Sequence, residues 1–171
     1  MTSAFSTLRR LVFYKSYNRA TLGADMILSL DMDSEVPIYQ QIRDRIVEAI
    51  ASGQLVEGSS LPSTRQLAVD LGINFHTVNK AYDLLRREGL LRVNRKSGAL
   101  VQRDTRSGPP EPGFTAEWET RLRTLLAEAV AHGTGDPAVL DSCRSVLVSF
   151  TSPAPASPSA NPGAQQGDSA S

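Results

Sequence analysis

A cluster of donor side chains lies between positions 63 and 98, and its chemistry is recognition rather than bond making. Ser63, Thr64, Arg65, His76, Thr77, Asn79, Lys80, Arg95 and Lys96 bring hydroxyl, guanidinium, imidazole, amide and ammonium groups into one stretch, with Phe75 and Gly98 among them. Groups of this kind hydrogen-bond phosphate oxygens and base edges. The sequence carries no phosphate-binding glycine loop, no HExxH metal motif and no nucleophile spaced beside a base, so no enzyme is expected. Glu35, Asp44 and Glu48 read as solvated acids. His76 has no second ligand at metal spacing, and His132, beside a glycine at a helix end, suits the helix dipole instead. Neither a metal nor a cofactor is expected.

Residues 61–91, LPSTRQLAVDLGINFHTVNKAYDLLRREGLL, are the scaffold that positions these donors. Two short helical patterns flank a turn at Leu71-Gly72-Ile73. Ala68, Gly72 and Val78 fall where two helices must nearly touch. Ser63 is the expected cap of the first helix, with Gln66 completing a capping box. Gly72 permits the turn, Asn74 caps the second helix, and Gly89 stops it. Leu67, Ala68 and Leu71 face Val78, Ala81, Tyr82 and Leu85 as a core, which makes Tyr82 a packing residue rather than a stacking platform. This is a helix-turn-helix, whose second helix projects as a rod sized for a DNA major groove.

The flanking segments extend that unit. Pro37 opens a helix over residues 37–52, in which Ile38, Ile42, Ile46 and Ile50 make one apolar stripe. Met26 opens ILSLD, a short strand. Downstream, strands over residues 90–93 and 99–102 flank NRKSG and read as a hairpin, the wing. Residues 1–25 show no periodicity and are expected to be disordered, or an extension ahead of a start at Met26. The competing reading is a basic arm on DNA, since Arg9, Arg10, Lys15 and Arg19 precede the first acid. Residues 103–114 form a Gly/Pro-rich linker, residues 115–150 two antiparallel helices, and residues 151–171 a Ser/Pro/Ala-rich tail expected to be disordered. The expected architecture is mainly α with a small β-wing (α+β): an N-terminal winged helix-turn-helix over residues 26–102 and a C-terminal helical hairpin. Trp118, Leu122, Leu125, Ala129, Leu140 and Leu147 line that hairpin. Fewer than about 40 residues bury little alone, so they are expected to pair with a second copy. The pair is also too small to enclose a sizeable metabolite.

Bulk charge does not advertise nucleic acid, because the formal net charge is zero. Residues 25–102 carry nine basic and ten acidic side chains, so affinity for a polyanion requires clustering at Arg65, Lys80, Arg95 and Lys96. The single cysteine, Cys143, excludes an internal disulfide and reads as a small core residue. No run approaches the roughly 20 apolar residues of a membrane span. LVFYKSY is too polar for a signal-peptide core, so the chain reads as cytosolic.

The segment PIYQQIRDRIVEAIASGQLVEGSSLPSTRQLAVDLGINFHTVNKAYDLLRREGLL resembles the GntR family of bacterial winged-helix regulators, over residues 27–101. The short helical remainder is similar to the YtrA subfamily rather than the MocR type, which carries a long aminotransferase-like domain. The resemblance implies a homodimer that binds a palindromic DNA operator and represses its own operon, in this subfamily often one encoding an ABC transporter. By position it assigns DNA contact to Arg65, Phe75, His76, Thr77 and Asn79. It places Ser63 and Thr64 near phosphate, and the wing on residues 95–98. Two positions depart from the pattern: Phe75 stands where many relatives have arginine, and Lys96 replaces the first glycine of a Gly-x-Gly wing. Local alternatives stand beside these roles. Arg65 could pair with Asp70, Thr77 could bond its own helix, and the winged helix could serve protein interaction alone.

Overall fold

The computed structural model describes residues 17–22, 26–94 and 98–151. Strands β1 (Tyr17–Leu22) and β2 (Met26–Asp31) pair antiparallel, with Ala20 opposite Leu28 and Leu22 opposite Met26. Alternation turns Ala20, Leu22, Met26, Leu28 and Leu30 into the core. The expectation of a disordered or extraneous stretch through residue 25 is therefore corrected for residues 17–22, which form a strand. Its signal was weak because a small alanine holds one of its two core positions. Arg9, Arg10 and Lys15 of the suggested arm lie outside the described residues.

Helix α1 (Ile38–Ala51) follows Pro37 and buries Ile42, Ile46, Ala49 and Ile50, while Ile38 is only partly covered. A two-residue strand, β3 (Ser60–Leu61), precedes α2 (Thr64–Leu71) and α3 (Phe75–Arg87). The buried faces are Leu67, Ala68 and Leu71 on α2, and Val78, Ala81, Tyr82 and Leu85 on α3. Each of these leucines contributes about 1.5–3 kcal/mol by leaving water. Strands β4 (Leu91–Asn94) and β5 (Gly98–Val101) form the wing, and β3 adds to it in the order β3-β5-β4. These strands lie one residue from the expected bounds, and β3 was too short to leave a sequence pattern.

Helices α4 (Phe114–Ala131) and α5 (Asp136–Thr151) pair with each other and bury no residue fully. The half-covered side chains are Leu122, Leu126 and Ala129 on α4, with Val139, Cys143 and Phe150 on α5; they mark the seam where the two helices meet. Cys143 is thus half-buried on a hairpin rather than set in a core. The connection ahead of α4 starts as an ordered knot. Asp104 accepts the backbone N–H of Glu57 at 3.0 Å and that of Arg106 at 2.7 Å, and the Ser107 hydroxyl donates to Glu57 at 2.8 Å.

Candidate nucleic-acid interface

The turn between α2 and α3 is built from local chemistry. Ser63 Oγ accepts the Gln66 N–H at 3.2 Å, Gly72 closes α2 in the left-handed region (φ 61°, ψ 34°), and Asn74 Oδ1 accepts the His76 N–H at 2.9 Å. The capping box is only half formed. The Gln66 amide donates to Asp70 at 2.7 Å instead of reaching back to the Ser63 N–H. Ile73 and Val78 occupy the positions flanking the cap that tie a helix entry to the core, and both pack there.

Three longer contacts hold the pair of helices in place. The Tyr82 hydroxyl donates to the Pro62 carbonyl at 3.1 Å, and burial pushes its pKa well above the ordinary phenol value. At the far end of α3, Arg43 forks onto Glu88, with donor–acceptor distances of 2.9 to 3.2 Å. Asn18 Nδ2 donates to the Leu71 carbonyl at 2.6 Å, so β1 satisfies an acceptor at the C-terminus of α2. Sequence reasoning did not find this last contact, since nothing local links positions 18 and 71.

On this frame the expected donors within the described residues sit at the start of α2 and in the first turns of α3. Arg65 is exposed and, among the described residues, has no ion pair; Asp70 is engaged by Gln66. Thr77 is half-covered and its hydroxyl does not bond back to its helix, whereas Thr120 and Ser142 of the hairpin do. Asn79 is exposed and, among the described residues, has no partner for its amide. Thr64 is half-covered at the first position of α2. Lys80 is exposed with Nζ 3.7 Å from the Tyr39 ring centre, a cation–π contact that steers the ammonium. Phe75 and His76 stack on each other, ring centres 3.9 Å apart.

Charge is graded along α3. Residues 72–82 contain no acid. Near the other end Asp83 holds Arg86 at 2.7 Å and Arg87 at 3.0 Å, and the Arg86 hydrogen bond keeps its carboxyl below the usual range. The starting turns of α2 and α3 therefore carry positive dipole ends and no acidic side chain, which suits an anion.

Gly98 has a different place from the one expected of a DNA contact. It is buried with φ +92°, and a Cβ there would run into the Leu61 carbonyl and the Pro62–Ser63 backbone. Its role is to seat the wing against the start of α2. Arg95 and Lys96, the expected wing contacts, lie outside the described residues.

A three-helix winged helix-turn-helix with a free donor face is the DNA-binding class of fold. The family model "Bacterial regulatory proteins, gntR family" matches residues 38–101. The HTH-type transcriptional repressor YtrA of Bacillus subtilis (strain 168) is 33% identical over 103 residues, which span 60% of this chain and 78% of that protein. A probable rhizopine catabolism regulatory protein, MocR, of Rhizobium meliloti is 39% identical over 75 residues, covering 44% of this chain and 15% of that longer protein. Among solved structures, one described as a transcriptional antiterminator from Listeria monocytogenes EGD-e superposes with a TM-score of 0.68 at 26% identity, over 75% of this chain and 96% of that one. The chain belongs to the gntR family of bacterial regulatory proteins and is a DNA-binding transcription regulator, not an enzyme. No helix among the described residues is long and apolar enough to cross a membrane.

Proposed function

We propose that this chain is a cytoplasmic, homodimeric repressor that grips a palindromic operator with two copies of the α2–α3 face. The observation that carries the reading is the acid-free, unpartnered donor surface at the start of those helices, centred on Arg65, Thr77 and Asn79. In each protomer α3 enters one major groove with Phe75, His76, Thr77 and Asn79 toward the bases. Ser63, Thr64, Arg65 and Lys80 face phosphate. Two-fold symmetry then spaces the half-sites about 34 Å apart, one helical turn.

Dimerisation is assigned to the hairpin. Trp118 is 45%, Leu140 61%, Leu125 62% and Leu147 66% exposed, so four of the six expected residues point away from the seam. Leu122 and Ala129 support the interface from inside the seam instead. The DNA-binding unit spans residues 17–102, since β1 caps α2, and the dimer unit begins at α4. The test is binding of the full-length protein to the promoter of its own operon, by electrophoretic mobility shift and light scattering. A dimer that shifts this DNA and is displaced only by the same sequence supports the reading. A protein that binds no duplex in a salt-dependent way is a protein-interaction module instead.

A further inference from the structure

We infer that Phe75 is a specificity residue that reads the thymine methyl group in the operator, an inference that rests on α3 being the DNA-reading helix. Phe75 is the first residue of α3 and is 43% exposed; the other ring in contact with it is that of His76, tilted by 35°. The structural tasks at this helix start are carried by its neighbours. Asn74 supplies the cap, and Ile73 and Val78 join the entry to the core. Phe75 is not part of the buried core, and 43% of its surface is open to solvent.

The position decides what it can read. The N-terminal residues of a recognition helix meet base edges. A phenyl ring neither donates nor accepts there, and the C5-methyl of thymine is the one apolar group on the major-groove floor. The tilted contact with His76 limits the ring's freedom, so less conformational entropy is lost on contact. Asn79 stands four residues on, the helical spacing that shares a face with Phe75. Its free amide suits the N6 and N7 groups of adenine. Phe75 and Asn79 together therefore select A·T pairs near the outer end of the groove contact.

The test needs no prior operator. Full-length protein selects duplexes from a random pool, and the selected duplex is remade with deoxyuridine at each thymidine in turn. Uracil keeps every hydrogen bond of the pair and removes only the methyl. At one or two positions per half-site the substitution weakens binding by the parent about fourfold, the value of one buried methyl-sized group. Phe75→Ala loses that sensitivity, Phe75→Leu keeps part of it, and both melt at the parent temperature. Uniform tolerance of uracil by the parent, or sensitivity undiminished in Phe75→Ala, overturns the inference while leaving DNA binding intact. Failure to enrich any duplex removes the DNA-reading helix and the inference with it.

Discussion

The helix-turn-helix and the helical hairpin differ in where their apolar side chains go: the first buries most of them, and the second leaves most of them exposed. In α2 and the first turns of α3 the inward apolar side chains are buried, and Arg65, Thr77 and Asn79 stay unbonded. In α4 and α5 several hydroxyls and one charge pair are satisfied within the helix itself. The hydroxyls of Thr120, Ser142 and Ser149 bond their own helix carbonyls, and Arg144 holds Asp141 at 2.8 Å. There the apolar side chains are left outside. Water can serve the first surface at little cost, whereas the second is unfavourable until covered. One unit offers donor groups that suit a polyanion, the other exposed apolar side chains that a second copy would cover under the proposed dimer.

The sharpest way to break this comparison is to make the hairpin polar. Leu125→Asp combined with Leu147→Asp is expected to yield a monomer by light scattering. Operator affinity should fall roughly 10²–10⁴-fold, because the second half-site is no longer tethered. The helix-turn-helix should still melt cooperatively, since its core lies elsewhere. A variant that stays dimeric places the interface on another surface.

The next effect tests the seat of the wing. Gly98→Ala puts a side chain where φ is +92° and the Leu61 carbonyl is already in contact. The expected loss is about 1–3 kcal/mol in chemical denaturation. Operator binding should weaken as well, because the start of α2 must shift.

A smaller loss comes from Asn18→Ala, which leaves the Leu71 carbonyl without its donor. The expected destabilisation is about 0.5–1.5 kcal/mol. An unchanged denaturation midpoint would mean that β1 does not brace the turn.

The smallest effect is a pH dependence. Donation from the Glu57 and Arg106 backbone N–H groups holds the Asp104 carboxyl below the usual carboxylate range. A depressed folded-state pKa stabilises the protein above the unfolded value, about 3.9, and that contribution is lost as pH falls through the folded value. Asp104→Asn should therefore narrow the difference between melting temperatures measured near pH 6 and near pH 3. An equal difference in both proteins would show that the knot is not coupled to folding.

The legible parts of the sequence were those set by local chemistry. Ser63, Gly72 and Asn74 mark helix ends because caps act within a few residues, and the stripes of α1, α2 and α3 identify the core directly. What was not legible depends on distant partners. Tyr17–Leu22 becomes a strand by pairing with β2 and lending Asn18 to α2, neither of which its own alternation announces. Gly98 resembles a wing contact in sequence, yet it is buried where any Cβ would run into the Leu61 carbonyl. Leu122 and Ala129 shared a stripe with Trp118 and Leu125, yet only the packing of α5 separates seam from outer face. The free state of Arg65 was undecidable from spacing, because both Gln66 and Arg65 can reach for Asp70.

Arg65 also offers the most direct test of whether the donor groups at the start of α2 and α3 hold DNA. Kd for the selected operator is measured by fluorescence anisotropy from about 50 to 200 mM salt, for the parent and for Arg65→Ala. The variant is expected to bind at least about tenfold more weakly, as charged hydrogen bonds of about 1.5–3 kcal/mol are removed from each protomer. The slope of log Kd against log salt should shrink by about two, one phosphate contact per subunit. An Arg65→Ala protein with the parent's affinity and slope would contradict the account.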